Sequence, residues 1–151
     1  YWMFGGNLEN QWNYMRLPHV VPMLGDGGAH VGFFTDTDSP TVLLSELTRK
    51  QGVYSLPEAI HRITGKSAQI IGLKERGELR EGWHADINVI DYENLHTCHP
   101  EYVNDFPHGG GRFIVKSRGY DATIVAGQVV VQNGVHTGHR PGEVIRSFVR
   151  G

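Results

Sequence analysis

The chain has 151 residues, of which 39% are hydrophobic and 20% charged, and its net charge is −2. This length is enough for one domain with a real core, and the composition excludes a disordered chain. No apolar run approaches the roughly 20 residues that cross a bilayer, and no basic stripe indicates a nucleic-acid partner. Cys98 is the single cysteine, which excludes an internal disulfide and predicts a reducing, cytoplasmic setting. The chain opens with YWMF, which indicates a piece of a longer gene product or a deliberately shortened protein.

The first predicted element is a strand over residues 20–24, VVPML, because an all-apolar run suits a strand covered on both faces. Gly25 and then Asp26 follow the strand, and Gly27 and Gly28 come next. Barrel and doubly wound enzymes carry catalytic groups at this end of a parallel strand. Asp26 is therefore a candidate metal ligand and general base, and the two glycines would let backbone approach a ligand closely. The alternative is an ordinary turn carboxylate that closes the strand.

His30 follows Asp26 by four residues. It is a candidate to bind metal, to hold a substrate carboxylate or to hydrogen-bond Asp26. The alternative is a histidine satisfied by nearby backbone.

Three helices are predicted next. The first begins at Ser39, as its cap, with Pro40 at the first helical position, and it runs to about Gln51 before Gly52. The second begins at Ser55, which has capping-box spacing to Glu58, and it stops at Gly65. The third spans about residues 67–71 and is closed by Gly72. Apolar side chains give the first two helices an inner stripe: Leu43, Leu44, Leu47, Ile60 and Ile63.

The pattern becomes β-rich after residue 73. A strand is predicted over residues 85–91, and a mostly loop-like stretch follows, in which residues 112–116 favour a strand. The clearest hairpin pairs residues 122–126 with 129–132 across Gly127 and Gln128, as a type II′ turn. A second tight turn is predicted at Asn133-Gly134, and a short helix or strand over residues 143–149.

Other polar clusters give weaker signals. His96, Cys98 and His99, with His108 further on, match no standard zinc spacing. The triple glycine at 109–111 lacks the Lys-Ser or Lys-Thr pair of a phosphate loop, and no Gly-x-Ser-x-Gly elbow is present.

Four stretches in order resemble the C-terminal portion of an amidohydrolase-superfamily enzyme, with the N-acyl-D-amino-acid deacylases (D-aminoacylases) as the most similar branch. They are residues 25–30 (GDGGAH), 55–68 (SLPEAI through TGKSA), 72–87 (GLKERGEL through GWHADI) and 122–130 (ATIVAGQVV). The insert before the last hairpin, with residues 105–107 and 119–120, also resembles that branch.

The resemblance implies an α/β fragment: the last strand and helices of a TIM-like barrel in residues 1–73, and part of a small composite β-sandwich in residues 74–151. It implies a zinc-type metal site, in which Asp26 contacts metal and moves a proton from the attacking water to the leaving amine. It places His30 near the substrate, and Gly27 and Gly28 are candidate substrate contacts through their backbone. The family's other metal ligands come from earlier strands, and this chain has no place for them.

Two hypotheses follow. In the first, the chain is part of a metal-dependent hydrolase of amide bonds that deacylates a small N-acyl amino acid, and it is inactive in isolation. In the second, it is a non-catalytic structural module whose apolar helix faces are buried in a homo-oligomer. Neither hypothesis requires a membrane or a nucleic acid.

Overall fold

The computed structural model describes residues 8–22, 30–33, 35–146 and 148. Helices form the first half and short antiparallel strands the second. The helices are α1 (Leu8–Met15), α2 (Ser39–Val42), which continues directly as a π-helical segment (Leu43–Lys50), α3 (Leu56–Ile63) and α4 (Gly65–Ile71). The strands are β1 (Ile87–Ile90), β2 (His96–Thr97), β3 (Glu101–Val103), β4 (Arg112–Ile114), β5 (Ser117–Arg118), β6 (Tyr120–Val125), β7 (Gln128–Gln132) and β8 (Val135–His136), with a 3₁₀ turn (Pro107–Gly109) before β4.

The segment before residue 39 differs from the sequence prediction. Helix α1 forms in a segment for which the sequence predicts no element. The strand predicted over residues 20–24 does not form over its described part, because residues 20–22 pair with no strand. Instead, the Val20 N–H donates to the Leu17 carbonyl at 3.1 Å, which closes a turn. Residues 23 and 24 lie outside the described residues.

The three predicted helices are present with altered ends. Asp38, rather than Ser39, occupies the first cap, and it makes no side-chain capping bond, so the prediction of Ser39 as the cap was wrong. The Ser55 cap is confirmed, since its hydroxyl accepts from the Glu58 N–H at 3.4 Å. Gly65 opens α4 instead of ending α3 outright, and Thr64 separates the two helices.

A four-stranded antiparallel sheet in the order β1-β6-β7-β8 dominates the second half. The predicted hairpin forms, but its two-residue turn is Ala126-Gly127, because Val125 pairs with Gln128. Both turn residues have positive φ, 47° and 78°, which is the type I′ pattern and not the predicted type II′. The Asn133-Gly134 turn is confirmed between β7 and β8. The predicted helix or strand over residues 143–149 is absent from its described part, residues 143–146 and 148.

The stretch between β1 and β6 contains more pairing than expected. Strands β3 and β4 form one antiparallel pair, and β2 and β5 form another. Gly119 has φ of 95°, and a Cβ there would lie 2.6 Å from the Leu95 Cα, so only glycine fits this close approach.

The hydrophobic core lies where the helices pack against the β-rich half of the chain. Its buried members come from the π-helical segment, the loop and helix after it, and the loop after β1: Leu43, Leu44, Leu47, Val53, Tyr54, Ala59 and Leu95. Trp12 and Met15 from α1, and Ile90 and Tyr120 from the sheet, pack against this cluster. One core therefore joins the two halves, and it also contacts the helix that precedes the Asp26 region.

Candidate functional site

Three of the predicted site residues, Asp26, Gly27 and Gly28, lie outside the described residues. Their roles stay predictions. The structure describes the chain on both sides of them, and those flanks show how this region is attached to the core.

The N-terminal flank is held by Arg62 of α3. Its side chain is buried, with 5% of the residue exposed, and its guanidinium donates to backbone carbonyls of the irregular segment after α1. The acceptor oxygens belong to Met15 at 3.0 Å, Arg16 at 3.1 Å, Leu17 at 3.2 Å and Val20 at 2.7 Å. Several carbonyls that lack a helix or sheet partner are thus satisfied by one cation, which donates through a planar fork.

The Arg62 side chain is itself fixed on two sides. The Glu58 carboxylate, one helical turn earlier, contacts it at 2.9 Å. Its guanidinium carbon lies 4.8 Å from the centre of the Tyr54 ring. The Tyr54 hydroxyl donates to the Met15 carbonyl, and burial raises the pKa of Tyr54 above its ordinary value. Tyr54 therefore remains a protonated donor at neutral pH.

The C-terminal flank begins at His30, which is exposed. Its ring stacks on Phe33 with 5.5 Å between centroids, and the Phe33 N–H donates to the His30 carbonyl at 3.0 Å. The next residue is attached to the β-rich half, because the Val31 carbonyl accepts from the Phe113 N–H of β4 at 2.8 Å. The His30 ring thus sits at the surface near β4, and its predicted contact with substrate stays a prediction.

The β3–β4 hairpin next to this flank carries an ion pair between Arg112 and Asp105. Arg112 donates to both carboxylate oxygens of Asp105, at 2.9 and 2.7 Å, and lies over the Phe106 ring. The hydrogen bond from Arg112 lowers the pKa of Asp105 below its ordinary value. This bidentate pair fixes the ends of the 3₁₀ turn relative to each other.

The described histidines and cysteine do not assemble a metal site. His96 Nδ1 contacts the Asn94 carbonyl at 2.7 Å, and His99 Nδ1 contacts the Pro100 carbonyl at 3.1 Å. Across the described residues, no three His, Cys, Asp or Glu side chains converge as metal ligands would. These residues therefore do not fit a complete metal centre.

Sequence reasoning missed Arg62. Its only readable signal was the spacing of four residues from Glu58, which predicts an ion pair along a helix. The carbonyls that Arg62 binds belong to residues more than 40 positions earlier in the sequence, so no local pattern predicts these contacts.

Comparison with known proteins decides the family. The sequence matches the profile of the amidohydrolase family over residues 13–131. The chain belongs to the amidohydrolase family. The match includes the Asp26 region, both of its described flanks and the hairpin of β6 and β7, and it confirms the resemblance found in the sequence.

Individual amidohydrolases give a finer comparison. The chain is 39% identical over 106 residues to an N-acyl-D-aspartate deacylase of Alcaligenes xylosoxydans xylosoxydans, which covers 70% of this chain and 19% of that protein. A D-aminoacylase mutant in complex with copper chloride superposes with a TM-score of 0.57 at 27% identity, over 72% of this chain and 21% of that one. A D-aminoacylase structure concerned with the role of its binuclear metal centre superposes with a TM-score of 0.52 at 27% identity, over 66% and 19%.

The chain spans about a fifth of the length of these amidohydrolases. Within the described residues, no helix is long and apolar enough to cross a membrane.

Proposed function

We propose that this chain forms part of a metal-dependent amidohydrolase that cleaves a non-peptide C–N bond and deacylates an N-acyl amino acid. The observation that carries the proposal is the continuous family match over residues 13–131, which includes Asp26. The similarity to an N-acyl-D-aspartate deacylase and to D-aminoacylases supports a small-molecule N-acyl amino acid as the substrate.

Asp26 is the proposed catalytic residue. In this role its carboxylate takes a proton from the attacking water and delivers it to the leaving amine nitrogen, which otherwise departs poorly. Such a residue must lie within hydrogen-bond reach of both atoms, so the position of its backbone matters. Gly27, Gly28 and His30 are the proposed substrate contacts, two through close backbone approach and one through its ring.

A divalent metal, zinc or another, is the proposed cofactor, and it would supply Lewis-acid activation of water. Asp26 is this chain's one proposed ligand. The described residues offer no cluster of three or more His, Cys, Asp or Glu side chains, and the remaining ligands are proposed to come from other parts of the same enzyme. The metal-bearing D-aminoacylase structures support this part of the proposal.

Residues 1–73 are proposed to belong to a TIM-like barrel and residues 74–151 to a small composite sandwich. The change from helices to antiparallel strands after α4 supports this division. One face of the main sheet also supports it, because paired residues share a face. On that face lie Ile87, Ile124 and Val129, aligned across three strands, and Val89 with its partner Ala122. Val89 is exposed, the other four side chains are only partly buried, and all five lie outside the core cluster, as expected for a sheet that receives a second layer.

The remainder of the same enzyme is the proposed partner, and the lone Cys98 supports a cytoplasmic setting for it.

The alternative, a non-catalytic oligomerisation module, loses the support of its apolar helix faces. It assumed that Leu43, Leu44 and Leu47 need a partner surface, but each of them is at most 4% exposed within this chain. Ile60 and Ile63 pack against the same core. Association into a homo-oligomer stays a prediction, but these residues give no reason to expect it.

The test is an assay of the enzyme that contains this chain, with N-acetyl-D-aspartate and N-acetyl-D-methionine as probes. Release of acetate that stops on chelation and returns with Zn²⁺ is the expected result. Hydrolysis that is unaffected by complete metal removal, or no hydrolysis of any N-acyl amino acid in the metal-loaded enzyme, would contradict the proposal.

A further inference from the structure

Arg62 holds the backbone that leads toward Asp26. Its guanidinium binds four carbonyl oxygens between Met15 and Val20, the shortest of these bonds being 2.7 Å to Val20. Val20 precedes Asp26 by six positions in the sequence. Two of the four carbonyls, those of Met15 and Arg16, stand at the end of α1, where helical carbonyls lack intrahelical partners and a cation is favoured.

The Arg62 guanidinium makes two further contacts besides those with the carbonyls. The Glu58 carboxylate balances its charge at one edge, and the Tyr54 ring covers its plane. A buried arginine fork is hard to replace, because lysine offers one point of donation and not a planar set. Lys66 of α4 adds a hydrogen bond to the Pro18 carbonyl in the same segment.

We infer that Arg62 is a positioning residue for the reaction proposed for Asp26: it fixes the backbone at Val20, six residues before Asp26 in the sequence. The inference rests on the proposed function of Asp26. Its physical basis is the steep dependence of proton transfer on geometry, since a displacement of about 1 Å costs roughly 100-fold in rate. Arg62 contacts backbone and not substrate, so its loss should reduce turnover more than substrate binding.

A matched control is present in the same chain. Arg49 of the π-helical segment also donates to three carbonyls, those of Tyr92, Glu93 and Leu95, and lies over the Tyr92 ring at 5.4 Å. Arg49 thus holds the loop after β1, and this loop is far from Asp26 in the sequence. Arg62→Lys and Arg49→Lys therefore remove the same chemistry at two places.

The experiment compares both variants in the enzyme that contains this chain, with N-acetyl-D-aspartate as substrate and at a temperature below both melting points. We expect Arg62→Lys to lower kcat by at least about tenfold with KM changed less than about twofold, and Arg49→Lys to leave kcat within about twofold. Hydrogen exchange gives a second readout: amides in residues 15–22 should exchange faster in Arg62→Lys and at the wild-type rate in Arg49→Lys. Equal effects of the two variants on kcat, or unchanged exchange in Arg62→Lys, would overturn the inference.

Two further measurements keep the result interpretable. If Arg62→Lys does not fold, Glu58→Gln loosens the same guanidinium, and an unchanged kcat in that variant also overturns the inference. If the wild-type enzyme hydrolyses no N-acyl amino acid, the proposed function fails, and the positioning of Asp26 for that reaction falls with it. If the wild type is active and only the Arg62 prediction fails, the proposed function stands.

Discussion

Arg62 and Arg49 perform the same structural task at two irregular segments of the chain. Each lies in a helix and donates to carbonyls that have no helix or sheet partner. The sequence predicts both helices, and the spacing of four residues between Glu58 and Arg62 is compatible with the ion pair that they form. It does not predict the carbonyl acceptors, because they are fixed by the path of distant backbone and not by side-chain type.

Asp105 gives a prediction of pH dependence at the same scale. Its pKa is lowered chiefly by the hydrogen bond from Arg112, so the folded state holds its proton more weakly than the unfolded state does. The stabilisation from this pair is present above the ordinary carboxyl pKa of 3.8 and is lost as the pH falls through the lower folded value. An NMR titration of the Asp105 carboxyl should show a midpoint below 3.8.

The control for this titration is Arg112→Gln. The Asp105 midpoint should rise toward its ordinary value in that variant, because the bidentate donor is gone. The same midpoint with and without Arg112 would contradict the assignment of cause.

At the scale of elements, the sequence predicts the presence of a helix more reliably than its hydrogen-bonding pattern. The apolar stripe correctly placed a helix over residues 39–50, but most of it is π-helical, and the Gln51 N–H donates to Glu46, five residues earlier. Leu43, Leu44 and Leu47 are buried with either winding, so the hydrophobic pattern could not distinguish the two. In the main hairpin, Gly127 was correctly placed in the turn, but the pairing of Val125 with Gln128 shifts the turn by one residue.

The candidate site stays a prediction, and it rests mainly on the resemblance to a family. The pattern of an apolar run before an acid led to Asp26, but residues 20–22 form a turn and a loop and not the expected strand. A local apolar run cannot report whether a partner strand lies beside it, since pairing depends on chain that is distant in sequence.

Gly77, which lies close to α4, gives a prediction about the stability of the fold. It has φ of 86°, and a Cβ there would lie 2.8 Å from the Ala68 Cβ and 2.9 Å from the Gly65 Cα of α4. Gly77→Ala should lower the free energy of unfolding by about 1–2 kcal/mol for the left-handed backbone and by about 1–3 kcal/mol more for overpacking. Chemical denaturation of the chain measures this change.

Gly82→Ala is the matched control. Gly82 has nearly the same φ, 81°, but no described atom lies within 4 Å of the position of its added Cβ. It should therefore lose only the backbone contribution, about 1–2 kcal/mol. Equal losses at the two glycines would contradict the close packing of Gly77 on α4.

At the scale of the whole molecule, the apolar face of the main sheet, which lies outside the core cluster, predicts that this chain does not work alone. The purified 151-residue chain should release no measurable acetate from N-acetyl-D-aspartate, with or without added Zn²⁺. The physical reason is that a single carboxylate cannot hold a catalytic zinc, which takes three protein ligands. Zinc-dependent turnover by the isolated chain would contradict this prediction.

The most direct test of the account is the kcat of Asp26→Asn in the enzyme that contains this chain, measured beside Asp121→Asn. Asp121 is an exposed carboxylate in β6, so its replacement controls for a change of charge. We expect Asp26→Asn to lower kcat by about 10²–10⁴-fold, the usual contribution of general acid–base catalysis, with an unchanged circular dichroism spectrum. Asp121→Asn should retain the wild-type kcat. An Asp26→Asn enzyme that turns over N-acyl amino acids at the wild-type rate would contradict the catalytic role of Asp26.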